Sequence, residues 1–222
     1  MDPSVGGLEL PGVLVLVGAL VCSLATTLMS SWLTLSSELL PTEIFTVGLW
    51  ETCVVQELGM QGCRPYDGLL GLPPDIQLAR ILMCTALVGA LLGLVLAIPG
   101  LNLVNCHRRP RPEDQSFKRA LRAAGALLSL AAGVLVLVPV SYIAHLTVLR
   151  FFDETVPEMV PRWEFGDALF CGWTAAVLHL VAGALLLVSC RRLQQNCNPT
   201  VQFPLAQGHQ GRRTARSRAE YI

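Results

Sequence analysis

Two cysteines, Cys53 and Cys63, share one polar stretch of the chain, flanked by Trp32, Gly48, Leu49 and Trp50 before them and by Arg64 and Arg80 after them. The chemistry open to such a pair is oxidation, provided the stretch faces an oxidising compartment. Cys22, Cys84 and Cys171 instead lie inside apolar runs, where a cysteine reads as a small buried hydrophobe. His107, His145, His179 and His209 are scattered over a basic segment, a loop, an apolar run and a polar tail. They suggest neither a metal site nor a base beside a nucleophile, so no catalytic residue, no metal and no cofactor is expected.

The elements that position the polar stretch are apolar runs. With 53% hydrophobic and 14% charged residues and a mean hydropathy of +0.55, the 222-residue chain is too apolar for a soluble domain. Uncharged segments over residues 10–29, 81–101, 123–143 and 168–189 are each long enough to cross a bilayer once, at ~1.5 Å per residue against ~30 Å of hydrocarbon. Residues 1–9 carry two acids and no Lys or Arg, which argues against a cleaved signal peptide. Of the sixteen Lys and Arg, six lie between Arg108 and Arg122 and six follow Cys190, while the two remaining loops hold four. The positive-inside rule then places residues 1–9, 102–122 and 190–222 in the cytoplasm and the loops 30–80 and 144–167 outside.

Within the first outer loop, Thr46 to Val55 is rich in Val, Thr and Trp, and Gly59 to Gly62 supplies a turn before Cys63, which suggests a hairpin stapled across its strands. Pro73, Pro74 and Asp75 read as the start of a helix that runs into the second span. Arg80 reads as a membrane-surface residue with a snorkelling side chain. Pro139 is expected to bend the third span.

These residues carry a resemblance. Trp32, Gly48, Leu49, Trp50, Cys53, Cys63 and Arg80, followed by Gly71, Leu72, Pro73, Asp75, Ile76 and Gln77, resemble the first extracellular loop of the claudins. Phe151, Phe152, Asp153, Val156 and Pro157, then Arg162, Glu164, Phe165, Gly166, Gly172 and Trp173, are similar to the second. Tyr142 and Glu154 depart from the family pattern, which usually has Trp and Pro there. The loop-one signature also occurs in peripheral myelin proteins and calcium-channel gamma subunits. Many of those carry an Asn glycosylation sequon in the first loop that this chain lacks, Asn198 being followed by Pro199.

The resemblance implies a left-handed four-helix transmembrane bundle with a small antiparallel extracellular sheet, anchored at the membrane surface by Trp50 and the Cys53–Cys63 disulfide. It implies a structural component of tight-junction strands in the plasma membrane, adhering to itself and other claudins in cis and in trans and setting paracellular ion permeability, with no enzyme activity and no nucleic-acid partner. An accessory subunit of a membrane channel is the alternative. Arg64 holds the position where some claudins place a pore charge, although six acids between Glu38 and Asp75 suit a solvated surface arginine equally. Phe151, Phe152, Val156 and Pro157 are candidates for contact across the cell gap, or for packing on the sheet. Tyr221 and Ile222 suit strand addition to the PDZ groove of a zonula occludens scaffold. Cys106 and Cys190, at the cytoplasmic ends of spans, are candidates for S-palmitoylation and membrane-lipid contact.

Overall fold

A computed structural model describes residues 3–36, 43–56, 61–68, 72–100, 112–153 and 162–197. The described residues form four long helices and five short strands: α1 (Pro3–Leu28), β1 (Leu33–Ser36), β2 (Glu43–Val47), β3 (Glu51–Gln56), β4 (Gln61–Pro65), α2 (Pro74–Gly100), α3 (Pro112–Phe151), β5 (Trp163–Phe165) and α4 (Asp167–Cys197). The strands form one antiparallel sheet in the order β4-β3-β2-β1-β5.

Each helix is long and apolar enough to cross a membrane. The outward faces carry Leu14, Val21, Val88, Leu91, Leu92, Val95, Val134 and Val177, all exposed. Only 28% of the α2 span is buried inside the protein. A helix apolar on the face it does not bury is stable in lipid and not in water.

The inward faces are lined by small residues. Ala19, Ala86, Ala90, Ala97, Ala126, Ala132, Ala175, Ala176 and Ala182 are essentially inaccessible. They let backbones approach, which is how helices associate where burial from water supplies no driving force. The tightest example is α2 against α3, where a Cβ on Gly125 would lie 2.7 Å from the carbonyl oxygen of Gly93. One apolar cluster, including Trp32, Leu49, Met83, Val136, Val140 and Leu169, fills the sheet end of the bundle. A second, of Leu16, Ala97, Ala126, Ala182 and Leu186, fills the opposite end.

Several expected boundaries move. The start of α2 at Pro74 agrees with the sequence, Asp75 standing in its positively polarised first turn. Thr46 to Val55 is not one strand: Gly48, Leu49 and Trp50 form the turn between β2 and β3, and the stapled hairpin is β3 with β4. The third helix extends past both expected ends of its span. Residues 144–151, expected in the outer loop, are helical because Ile143, Ala144 and Thr147 continue the buried stripe and no Gly or Pro intervenes. Residues 116–122 of the expected basic linker are helical too, and Arg122 is buried. Pro139 lies inside α3 and does not end it.

Candidate functional site

The sheet is fixed to the bundle by the last carbonyls of α1. A helix end leaves up to four carbonyls without intrahelical donors. Here Ala25 O receives the backbone N–H of Met29 at 2.9 Å, Thr26 O the indole of Trp32 at 2.9 Å, and Thr27 O the indole of Trp50 at 2.8 Å. Two tryptophans from the loop thus satisfy groups that would otherwise be stranded in a region of little water. Trp32 is buried to 2% exposure, whereas Trp50 keeps one side open at 42%.

The turn of Gly48, Leu49 and Trp50 is held from several directions. Gly48 N donates to Glu51 O at 2.9 Å, Tyr66 Oη to Gly48 O at 3.2 Å, and Tyr66 N to Trp50 O at 3.3 Å. Arg80 Nε donates to Leu49 O, and its guanidinium lies between the rings of Trp50 and Tyr66. Arg80 is therefore buried protein structure and not the snorkelling surface residue expected from its place at the end of an uncharged run. Tyr66, which sequence reasoning passed over, belongs to this cluster; an aromatic three residues after Cys63 was the available signal.

Across β3 and β4, Cys53 and Cys63 are directly paired in register and joined by a disulfide, with their Cα atoms 4.1 Å apart. Glu51 lies close to both sulfurs, but the disulfide leaves no thiolate to bind a metal there. Arg64 follows on β4, its side chain 83% exposed and its guanidinium 3.3 Å from Asp67.

The second loop docks at the same end. β5 pairs with β1, Leu33 opposite Phe165 and Leu35 opposite Trp163. At Gly166 the chain crosses so close that a Cβ would lie 2.0 Å from Ser31 O, and only glycine fits. Gly166 N and Ala168 N then donate to Trp32 O and Ser31 O, at 3.0 and 3.1 Å, so loop carbonyls satisfy donors at the start of α4.

Phe151 and Phe152 stack edge to face at 5.3 Å, with Phe152 71% exposed. Arg162 lies over the Phe151 ring and donates to the Phe151 carbonyl. Tyr142, one of the departures noted above, donates from Oη to Asp75 at 3.4 Å, and Asp75 also pairs with Arg150 at 3.6 Å. Cys190 is half-buried near the far end of α4, its thiol directed at the Arg119 carbonyl 3.9 Å away. Val156, Pro157, Cys106, Tyr221 and Ile222 lie outside the described residues.

A sequence model of the PMP-22/EMP/MP20/Claudin family matches residues 6–186. The chain is similar to claudin-3 of Homo sapiens, 38% identical over 189 residues that cover 83% of this chain and 82% of the relative. It is 34% identical to claudin-3 of Canis lupus familiaris over 97% of this chain and 99% of the relative. Claudin-9 of Mus musculus is 36% identical over 77% of each chain. With the tryptophan-capped, disulfide-stapled sheet seated on four apolar helices, this chain belongs to the PMP-22/EMP/MP20/Claudin family.

Proposed function

We propose that this chain is a claudin of tight-junction strands: a structural adhesion protein that joins copies side by side and across the intercellular gap and sets paracellular ion permeability. The observation that carries the reading is the rigid seating of the sheet, through Trp32, Trp50 and Arg80, on a bundle whose outer surface suits lipid. Such a platform holds loop side chains at fixed positions above a bilayer. The segregation of Lys and Arg supports the sheet facing outside and both termini facing the cytoplasm.

In this reading Arg64 projects a fixed cation into the passage between cells and disfavours cations there, with Asp67 partly offsetting it. The exposed ring of Phe152, with Phe151, Val156 and Pro157, contacts a claudin of the opposing cell. Cys106 and Cys190 accept acyl chains, and Tyr221 and Ile222 engage a PDZ scaffold.

Expression in cells that lack endogenous claudins tests the reading. Continuous intramembrane fibrils by freeze-fracture, with altered transepithelial resistance or ion selectivity, are expected. A protein that reaches the surface but leaves scattered particles and unchanged resistance would contradict it.

A further inference from the structure

α1 and α4 pack antiparallel, and their contacts run in step: Gly12 lies against Leu185 and Leu186, Ser23 against His179, and Thr26 against Gly172. Gly172 marks a close approach. A Cβ there would lie 2.6 Å from Val140 Cγ2 and 3.2 Å from Thr26 Cγ2. Cys171 is the residue beside that glycine, and Cys22 stands one turn before Thr26. The Cys171 thiol points at the Cys22 carbonyl, 3.7 Å away. Both thiols are half-buried and neither is part of the Cys53–Cys63 disulfide.

We infer that Cys22 and Cys171 form a modification site, an oxidisable thiol pair at which a small uncharged hydroperoxide closes a disulfide between α1 and α4. The geometry favours it because the Cys171 thiol already reaches the backbone of Cys22 across the α1–α4 interface, 3.7 Å from its carbonyl oxygen. Two further cysteines lie elsewhere: Cys84 is exposed on α2, and the Cys190 thiol faces the Arg119 carbonyl.

The chemistry balances without a metal. One cysteine, as its thiolate, attacks a peroxide oxygen; the O–O bond breaks, an alcohol or water leaves with the proton, and a sulfenic acid remains. The second thiol attacks that sulfur and expels water as the S–S bond forms. Two thiols and one hydroperoxide give one disulfide, one water and one alcohol, or a second water when the oxidant is hydrogen peroxide. The oxidant must be uncharged, since Cys22 lies six residues inside the end of α1 and Cys171 four residues inside the start of α4, roughly 6 to 9 Å along each axis at ~1.5 Å per residue.

The bridge would join residues 149 apart in sequence, at the root of the sheet. There β1 leaves α1 through the carbonyls that Trp32 and Trp50 cap, and β5 leads into α4. Oxidation would fasten the base on which both loops stand. This inference does not depend on strand formation, since it is read on the isolated protein.

The test uses the full chain in lipid nanodiscs with Cys84, Cys106, Cys190 and Cys197 replaced by serine. Denaturation without reductant and treatment with a polyethylene-glycol maleimide should add two adducts before hydrogen peroxide and none after it. Peptide mapping should then find Cys22 joined to Cys171, and Cys171→Ser should keep its single adduct on Cys22. Mapping of the unmodified chain in native membranes reads the same linkage if the serine variant does not fold. Two adducts surviving peroxide while Cys53 and Cys63 remain paired, sulfinic acid on either cysteine without a bridge, or a bond from Cys22 to any other cysteine would overturn the inference.

Discussion

Arg80 reaches back thirty-one residues to donate to the Leu49 carbonyl, with its guanidinium 4.9 Å from the ring centre of Trp50 and 5.3 Å from that of Tyr66. One side chain on α2 thus holds the turn that carries Trp50 onto the end of α1. The arrangement requires a planar cation with a directed N–H donor, which a lysine does not supply. Arg80→Ala removes a charge-assisted hydrogen bond and two cation–π contacts and is expected to cost about 3 kcal/mol. Arg80→Lys should recover less than half of that. Thermal unfolding in detergent, followed by tryptophan fluorescence, measures both, and a lysine variant as stable as wild type would contradict the assignment.

Ser23 and His179 tie α1 to α4 inside the bundle. Ser23 Oγ lies 3.0 Å from His179 Nε2, both residues are fully buried, and His179 Nδ1 has no hydrogen-bond partner among the described residues. Ser23→Ala strands the second ring nitrogen as well and should destabilise by about 1 to 3 kcal/mol. Replacing both, with Ser23→Ala and His179→Leu, removes the stranded group and should cost less than Ser23→Ala alone. Unfolding midpoints of the single and double variants decide it; additive losses would rule out the pairing.

Arg64 and Asp67 form an exposed pair at 83% and 86% side-chain exposure. Because they are so open to solvent, their effect depends on confinement between cells. Arg64→Asp should raise the preference for cations in dilution potentials, and Asp67→Asn, which frees the arginine, should lower it. Potentials that move in neither variant would place the pair outside the conducting path.

Removal of Ile222 is expected to abolish capture by a zonula occludens PDZ domain, since the groove reads a terminal carboxylate beside an apolar side chain. Pull-down with the intact and shortened tails measures this. Equal yields would show that recognition lies elsewhere.

The spans were legible in the sequence because lipid imposes one requirement over some twenty residues, and uncharged runs satisfy it visibly. The start of α2 at Pro74 was legible too, from its prolines and Asp75, but not the burial of Arg80, whose partners Leu49, Trp50 and Tyr66 lie in the loop. The outer end of the third span was not: the uncharged run ends at Ile143, yet α3 continues because Thr147 prolongs its buried stripe. The hairpin between β3 and β4 was readable from its turn residues and paired cysteines. The pairing of β1 with β5 was not, since Leu33 and Phe165 belong to different loops and no local pattern fixes a register between distant segments. Tyr66 escaped notice for a related reason: its partners Gly48, Thr52 and Arg80 converge only in three dimensions.

The orientation of the stapled sheet is tested most directly by thiol labelling of intact cells. A membrane-impermeant maleimide should leave Cys53 and Cys63 unmodified until an impermeant reductant is added outside, and should then label both. Labelling without reduction, or labelling only after the cells are permeabilised, would contradict an oxidised sheet held on the outer face of the membrane.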